Sequence, residues 1–269
     1  MNILIDGDIE LYKACTGAEE IFTWETDLHT LVSDSKVAKK TMVENITNHQ
    51  KVIEKWLSYP CSVTVAFSGS NNWRKTVYPD YKSNRVGGRR PIAFKPVKEW
   101  FVKNYNCDIR VGLEADDVLG ILATGNRDDC VVVSIDKDLQ SIPGYLYNPD
   151  KQRHPELVSL EQANWFHVYQ TLMGDKTDGY PGCPTIGPVR AAAALGKPGE
   201  HTTDKLWERA WRLYRAAGRS LEDMRTQAKV ARILRRGEWD QEKQLCLWDL
   251  PDLEYTVAMK TTDGEPDPT

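Results

Sequence analysis

Metal-binding cysteine pairs, disulfide frameworks and histidine clusters are all missing from this chain. Its six cysteines (15, 61, 107, 130, 183 and 246) are scattered, with no CxxC pair. That spacing argues against a zinc ribbon and fits small core thiols in a reducing compartment. Only five histidines occur, none in a metal motif, and no Ser-His-Asp or Cys-His nucleophile can be read. No apolar run reaches membrane-spanning length, and no charged-then-apolar leader opens the chain. The expectation is a soluble, cytoplasmic protein with no membrane partner. There is no internal repeat. An excess of positive charge is missing too: 35 Lys and Arg stand against 39 Asp and Glu, a formal net charge of −4. As a sum this argues against a nucleic-acid binder, but the charges are segregated, and distribution matters more than the sum.

The chain does have apolar residues enough for a core. Its 269 residues are 41% hydrophobic, which suits one large α/β domain or a domain with an appendage. Val131 to Ile135 reads as a strand buried on both faces, as in a parallel sheet under helices, with Asp136 and Asp138 at its end. Asn2 to Asp6, Ser62 to Phe67 and Cys107 to Val111 read as further strands. Residues 36 to 57 and 162 to 173 carry helical periods, and residues 145 to 160 suggest edge strands. A buried strand that ends in carboxylates puts negative charge at the carboxyl edge of the sheet, where open α/β sheets bind ligands.

Other acids gather in the same pattern. Asp6 ends the first strand, Glu114, Asp116 and Asp117 follow the third, and Asp175 and Asp178 sit in a glycine-rich turn. Acids in a first helical turn are ordinary capping when alone. Eight carboxylates in one site would repel unless cations sat among them. Oxygen ligands without histidine or cysteine select Mg²⁺ or Mn²⁺ over zinc. The number of acids suits two ions, which can clamp the attacking and leaving oxygens of a phosphoryl centre.

Positive charge is concentrated where phosphate would be gripped. Eight basic residues and one acid lie between Arg74 and Lys98, with Tyr78 and Tyr81 among them. A helix, a Gly/Pro loop and an Ala-rich helix from Val189 to Ala194 then make a grip for a phosphate backbone.

In their order along the chain, these residues resemble the 5′-3′ exonuclease/flap endonuclease family, with its PIN-like nuclease core. The likeness is nearest to the bacteriophage 5′-3′ exonucleases and covers roughly residues 1 to 196. It is carried by Ile3-Leu4-Ile5-Asp6-Gly7, Arg74 with Tyr78-Pro79-Asp80-Tyr81-Lys82-Ser83-Asn84-Arg85, Glu114-Ala115-Asp116-Asp117, Asp136-Lys137-Asp138, and Gly174-Asp175-Lys176-Thr177-Asp178. Thr185-Ile186-Gly187-Pro188 with Arg190 resembles a helix-three-turn-helix.

The resemblance implies a central, mainly parallel, twisted sheet flanked by helices. It places a nuclease core over 1–160, with a helical gateway near 72–100. A helical DNA-binding region follows over 161–260, and a disordered tail over 261–269. It implies Mg²⁺ as cofactor, two ions with Mn²⁺ as a substitute, held by Asp6, Glu114, Asp116, Asp117, Asp136, Asp138, Asp175 and Asp178. Lys82 and Arg85 would act on the scissile phosphate. Arg74, Tyr78, Tyr81, Gly182, Gly187 and Arg190 would contact DNA. The implied activity is 5′-3′ exonuclease with flap cleavage on duplex DNA, extending to RNA–DNA hybrids and primer removal in phage replication inside the bacterial host cell. Two rivals are a non-catalytic nucleic-acid-binding protein that keeps the fold, and a PIN-type ribonuclease, which the basic insert disfavours.

Two positions depart from the family pattern. Phe67-Ser68 stands where the family has Phe-Asp, and Thr185-Ile186-Gly187 where it has Gly-Ile-Gly. Ser68 is expected either at the metal site, coordinating or orienting a water, or as a cap for the turn that follows.

Overall fold

The computed structural model describes residues 1–85, 87–125 and 129–253. The expected disordered tail lies outside them. The chain forms two compact units, each assembled from separated segments. Among the described residues, one comprises 1–72, 87–158 and 233–245, and the other 73–85, 159–232 and 246–253. Residues 73–85 fold with the helical unit, and 233–245 return to the sheet unit.

The sheet unit is built on β1 (Asn2–Asp6), β4 (Ser62–Ser68), β5 (Cys107–Arg110), β6 (Cys130–Val133), β7 (Gly144–Tyr147) and β8 (Glu156–Val158). Their order is β5-β4-β1-β6-β7-β8. All neighbours pair in parallel except β7 with β8, which is antiparallel. The connections carry α1 (Gly7–Gly17), α2 (Ser35–Leu57), α4 (Phe94–Asn104) and α5 (Ala115–Gly125). Ile3, Ile5, Val65, Phe67, Val131 and Val133 form one buried core with Leu11, Met42, Val97 and Phe101 from the helices. Each such apolar side chain contributes about 1.5–3 kcal/mol by leaving water. The β6 strand stops at Val133, short of the expected Ile135: the Ser134 amide still donates to the Tyr147 carbonyl of β7 at 3.2 Å, and Asp136 then caps the 3-10 turn Lys137–Ser141.

Between α1 and α2 lies an antiparallel ribbon, β2 (Glu19–Glu25) with β3 (Leu28–Ser33), that pairs with no other strand among the described residues. Ile21, Trp24 and Leu28 are exposed on it. Residues 233–235 form a strap over the other end of the sheet unit. The Leu234 amide donates to Asp117 Oδ1 at 3.1 Å, and Arg235 donates to the Ser141 carbonyl at 2.8 Å.

The helical unit contains α3 (Arg74–Val77), α6 (Leu160–Met173), α7 (Pro188–Leu195), α8 (Thr203–Ala216) and α9 (Leu221–Ala231). Its core joins Val168, Leu172, Ala191, Leu195, Trp207, Tyr214 and Met224. The loop Gly174–Gly187 between α6 and α7 has the expected helix–loop–helix form. All six cysteines are free thiols. Among the described residues no helix is long and apolar enough to cross a membrane.

Candidate active site

Chain direction across the sheet reverses at β1. The chain moves outward from β1 to β4 and β5, then crosses back to β6 on the other side. A crevice at the carboxyl ends of β1 and β6 is therefore the expected ligand position of such a sheet. Asp6 ends β1 there and is nearly inaccessible. Its Oδ1 accepts the Ile9 amide at 3.2 Å and caps α1, while Oδ2 accepts the Ser134 hydroxyl at 2.8 Å. Ser134 Oγ in turn accepts the Asp136 amide at 3.0 Å. Asp136 Oδ1 takes the Asp138 amide at 2.9 Å, and Lys137 Nζ lies 3.4 Å from Asp138 Oδ1. Gly7 permits this close junction: a Cβ there would stand 2.6 Å from the Ala66 carbonyl oxygen of β4.

Burial pushes the Asp6 carboxyl up to about 7, against the Ser134 hydrogen bond, and the charges of Asp8 and Asp136 add to the rise. The carboxylates thus lie within reach of one another's charge, which suits a hard cation. Among the described residues, no three acids, histidines or cysteines stand in metal-holding geometry. Asp6, Asp8 and Asp136 instead accept hydrogen bonds from Ser134, Ser68 and Asp138. A pH dependence follows from Asp6. Its folded value is raised, so in EDTA it holds a proton that the unfolded chain releases from its ordinary value upward. Stability should fall by up to ~1.4 kcal/mol per unit between about pH 4 and about pH 7, then level off. Denaturant unfolding across that range should show the slope in wild type and lose it in Asp6→Asn. Equal slopes in the two proteins would exclude Asp6 as its source.

Asp8 was not singled out by the sequence reading, although its place two residues beyond the strand-end acid was a usable signal. Its Oδ2 accepts the Ser68 amide at 3.0 Å, and Lys98 Nζ lies 3.9 Å from Oδ1. Lys98 also donates to the Ser68 carbonyl at 2.8 Å. The Ser68 hydroxyl accepts the Ala115 amide at 3.0 Å, so it caps the first turn of α5, the helix that carries Asp116 and Asp117. Ser68→Ala should cost about 1 kcal/mol in chemical unfolding through the lost cap. On the expectation of a Mg²⁺-dependent nuclease, Ser68→Ala should lower cleavage only modestly, and Ser68→Asp, which adds a charge beside Asp8, should reduce the Mg²⁺ concentration at half-maximal rate. Identical Mg²⁺ midpoints for Ser68→Asp and wild type would place residue 68 outside the metal's influence.

Glu114 and Asp116 are half-buried at the start of α5, near Ser68. Asp117 is different. It is fully buried, and its oxygens accept backbone amides of Leu234 at 3.1 Å and Glu114 at 3.4 Å. It ties the strap to α5.

The helical unit brings together a second group. Asp178 Oδ1 accepts Arg85 Nη2 at 2.6 Å, and Oδ2 accepts the Tyr81 hydroxyl at 2.8 Å. Lys82 Nζ lies 3.6 Å from Oδ2, and the Lys82 amide donates to the Asp178 carbonyl at 2.7 Å. Lys82 has a left-handed backbone, with φ of 56°. Asp175 Oδ1 accepts the amides of Thr177 and Asp178 and folds the turn. Gly174 closes its base at φ of 67°, where a Cβ would meet the Pro181 carbonyl carbon at 2.4 Å.

Three of the residues expected on DNA are buried in this unit. Arg74 is buried, donating to the carbonyls of Val230 and Arg232. Tyr81 is buried against Tyr180 and Val230. The Gly182 amide is taken by Gln227 Oε1 at 2.8 Å. A buried guanidinium has to find oxygen partners, and for Arg74 these are backbone carbonyls more than 150 residues away. Tyr78 is half-buried beside that cluster. Gly187 caps α7, and Arg190 is exposed in its first turn, donating to the Thr185 carbonyl at 2.9 Å.

Comparison with known proteins adds an independent line. Residues 2–147 match the family described as 5′-3′ exonuclease, N-terminal resolvase-like domain. The exodeoxyribonuclease of Enterobacteria phage T3 is 29% identical over 280 aligned positions, covering 91% of this chain and 92% of that protein. The flap endonuclease Xni of Shewanella oneidensis is 30% identical over 153 positions, covering 52% of this chain and 59% of that one. In fold, the chain is similar to T5 5′-exonuclease, solved with divalent zinc ions bound. The TM-score is 0.53 and the identity 16%, with 87% of this chain and 99% of the other covered.

Proposed function

The chain belongs to the 5′-3′ exonuclease family, and from that premise we propose that it hydrolyses phosphodiesters at 5′ ends and flaps of duplex DNA with two divalent ions. The observation that carries this is the pair of acids across the β1–β6 crevice, with the Asp6 carboxyl driven up by burial and by neighbouring acids. A pair so stressed suits a cation better than solvent. We assign metal binding to Asp6, Asp136 and Asp138, with Glu114 and Asp116 at the start of α5. Asp8 joins them from its place beside Ser68. Asp175 and Asp178 are assigned the same role on their motif. The metal is read as Mg²⁺ from the all-oxygen donor set. When bound, such ions supply charge neutralisation and an activated water to phosphoryl chemistry.

The chain's own groups do the rest. Lys82 and Arg85 neutralise charge developing on the reacting phosphate. The Gly187–Arg190 end of α7 offers backbone amides and a cation to a duplex phosphate. Arg190→Glu should weaken duplex binding and flatten its log–log salt dependence by about one charge equivalent. An unchanged slope in that titration would take the hairpin out of the interface.

The test of the whole reading is direct. A 5′-labelled duplex, a 5′ flap and an RNA–DNA hybrid are incubated with Mg²⁺, with Mn²⁺ or with EDTA, and the products are sized. Short 5′ products that require the metal support the assignment. Binding without cleavage in every metal would leave a nucleic-acid-binding protein that keeps the fold. Cleavage of the hybrid gives its extent on RNA and bears on a primer-removing role in replication.

A further inference from the structure

The α4 helix buries one face and leaves the other open. Val97 and Phe101 are fully buried, with Ala93 just before the helix. The opposite face borders a cavity of about 720 Å³, inside the roughly 300–1,000 Å³ of small-molecule sites. Four cations line it, Arg90, Lys95, Lys98 and Lys103, against one acid, Glu99. Ile92, Phe94 and Val102 supply its apolar part. Ile92 and Val102 are exposed, and the Arg90 guanidinium lies over the Phe94 ring at 5.5 Å. A cation stacked on an aromatic face makes a platform on which a planar base can lie.

Two contacts fix where this cavity stands. At its entry the chain is clamped by Glu19, which accepts both Arg89 Nη atoms at 2.7 Å and the Ile92 amide at 2.7 Å. At its other side Lys98, itself part of the lining, reaches the Ser68 carbonyl at 2.8 Å and Asp8 at 3.9 Å. The cavity therefore adjoins the carboxyl edge of the sheet, within the same compact unit. A strand terminus held in it would run its first phosphodiesters toward Asp8 and Asp6.

We propose that this cavity receives the 5′-terminal nucleotide of the strand, the base on the Arg90–Phe94 platform and the terminal phosphate among Lys95, Lys98 and Lys103. A 5′-monophosphate carries nearly two charges at neutral pH, which the four lining cations match and a 5′-hydroxyl lacks. The inference rests on the nuclease reading above and names what that site recognises at the end of its substrate.

The experiment has two arms. In the first, 5′-phosphorylated and 5′-hydroxyl duplexes of one sequence are compared by kcat/KM, in wild type and in Lys95→Glu/Lys103→Glu. Both lysines are exposed, so the fold does not depend on them. Wild type should favour the phosphorylated end about tenfold, through KM, and the double variant should bring that ratio to about one. In the second arm, a fluorescent nucleoside 5′-monophosphate and its parent nucleoside are titrated in EDTA. The monophosphate alone should bind wild type, and the variant should lose it. A phosphate preference kept by the variant would sink the proposal, as would equal handling of both ends by wild type. Monophosphate binding without any cleavage in Mg²⁺ or Mn²⁺ would sustain the cavity and remove the nuclease reading. Cleavage without either phosphate effect would do the reverse.

Discussion

Asp136→Ala is expected to lower the cleavage rate by about a thousandfold or more while leaving duplex affinity within about twofold. A thousandfold corresponds to roughly 4 kcal/mol of transition-state stabilisation, a scale within reach of a lost metal ligand and beyond a surface charge. The separation is physical. Phosphates away from the reaction hold the duplex, and the strand-end acids do not touch them in the proposed arrangement. Asp136 suits this test better than Asp6. Asp6 also caps α1 and is buried, so its removal mixes folding with chemistry. Asp136 is only half-buried, and it hydrogen-bonds locally to Ser134 and Asp138. Single-turnover rates in saturating Mg²⁺, with affinity measured in EDTA, decide the matter. Wild-type turnover in Asp136→Ala would remove the β1–β6 crevice from the mechanism.

The second large effect concerns Lys82 and Arg85. Lys82→Ala and Arg85→Ala should each slow the chemical step by about 10²–10³, the range seen when one preorganised donor to a developing charge is lost. The structure adds a condition to this expectation. Both cations rest on one carboxylate, Asp178, which also holds the Tyr81 hydroxyl. Asp178→Asn should therefore weaken the hold on both side chains and slow cleavage at least as much as either single change. Rapid-quench rates at saturating enzyme separate this from binding. A loss confined to affinity, with an unchanged quench rate, would make the stretch from Arg74 to Lys98 a general grip on DNA.

How far the sequence showed the fold depended on burial. The central strands of the main sheet were legible because both their faces are covered, which writes them as apolar runs such as Cys130–Val133. The ribbon of residues 19–33 was not, because nearly all of it is exposed and no alternation marks an inner face. Acids at strand ends stood out by position, and the structure puts Asp6 at the end of β1 and Asp136 just past the end of its neighbour β6. Hidden from the sequence was what else each polar group had to satisfy. Asp117 looks like its neighbour Asp116, yet it is claimed by an amide 117 residues away. Arg74 looks like any cation of a basic run, yet it is the buried one. Ser68 was open between two roles, and a single hydrogen bond to Ala115 shows the capping one. Long-range partners of this kind leave no local periodicity to read.

The strap at residues 233–235 bears on how the chain comes off the ribosome. Synthesis delivers β1 through β8 long before Leu234. Until that amide arrives, Asp117 lacks the donor that meets its Oδ1 in the finished protein. A buried acceptor left unmet costs about 1–3 kcal/mol, more if it is charged, so the nascent sheet has reason to stay loosely closed around α5. Gly120 tells the same story sterically, since a Cβ there would press on the Leu234 carbonyl oxygen at 2.4 Å. The sheet unit can lock only after the chain has passed through the helical unit and returned. Completion of the sheet unit is thereby deferred until the helical unit has been synthesised, and fragments released earlier would expose a half-closed sheet to proteases and chaperones.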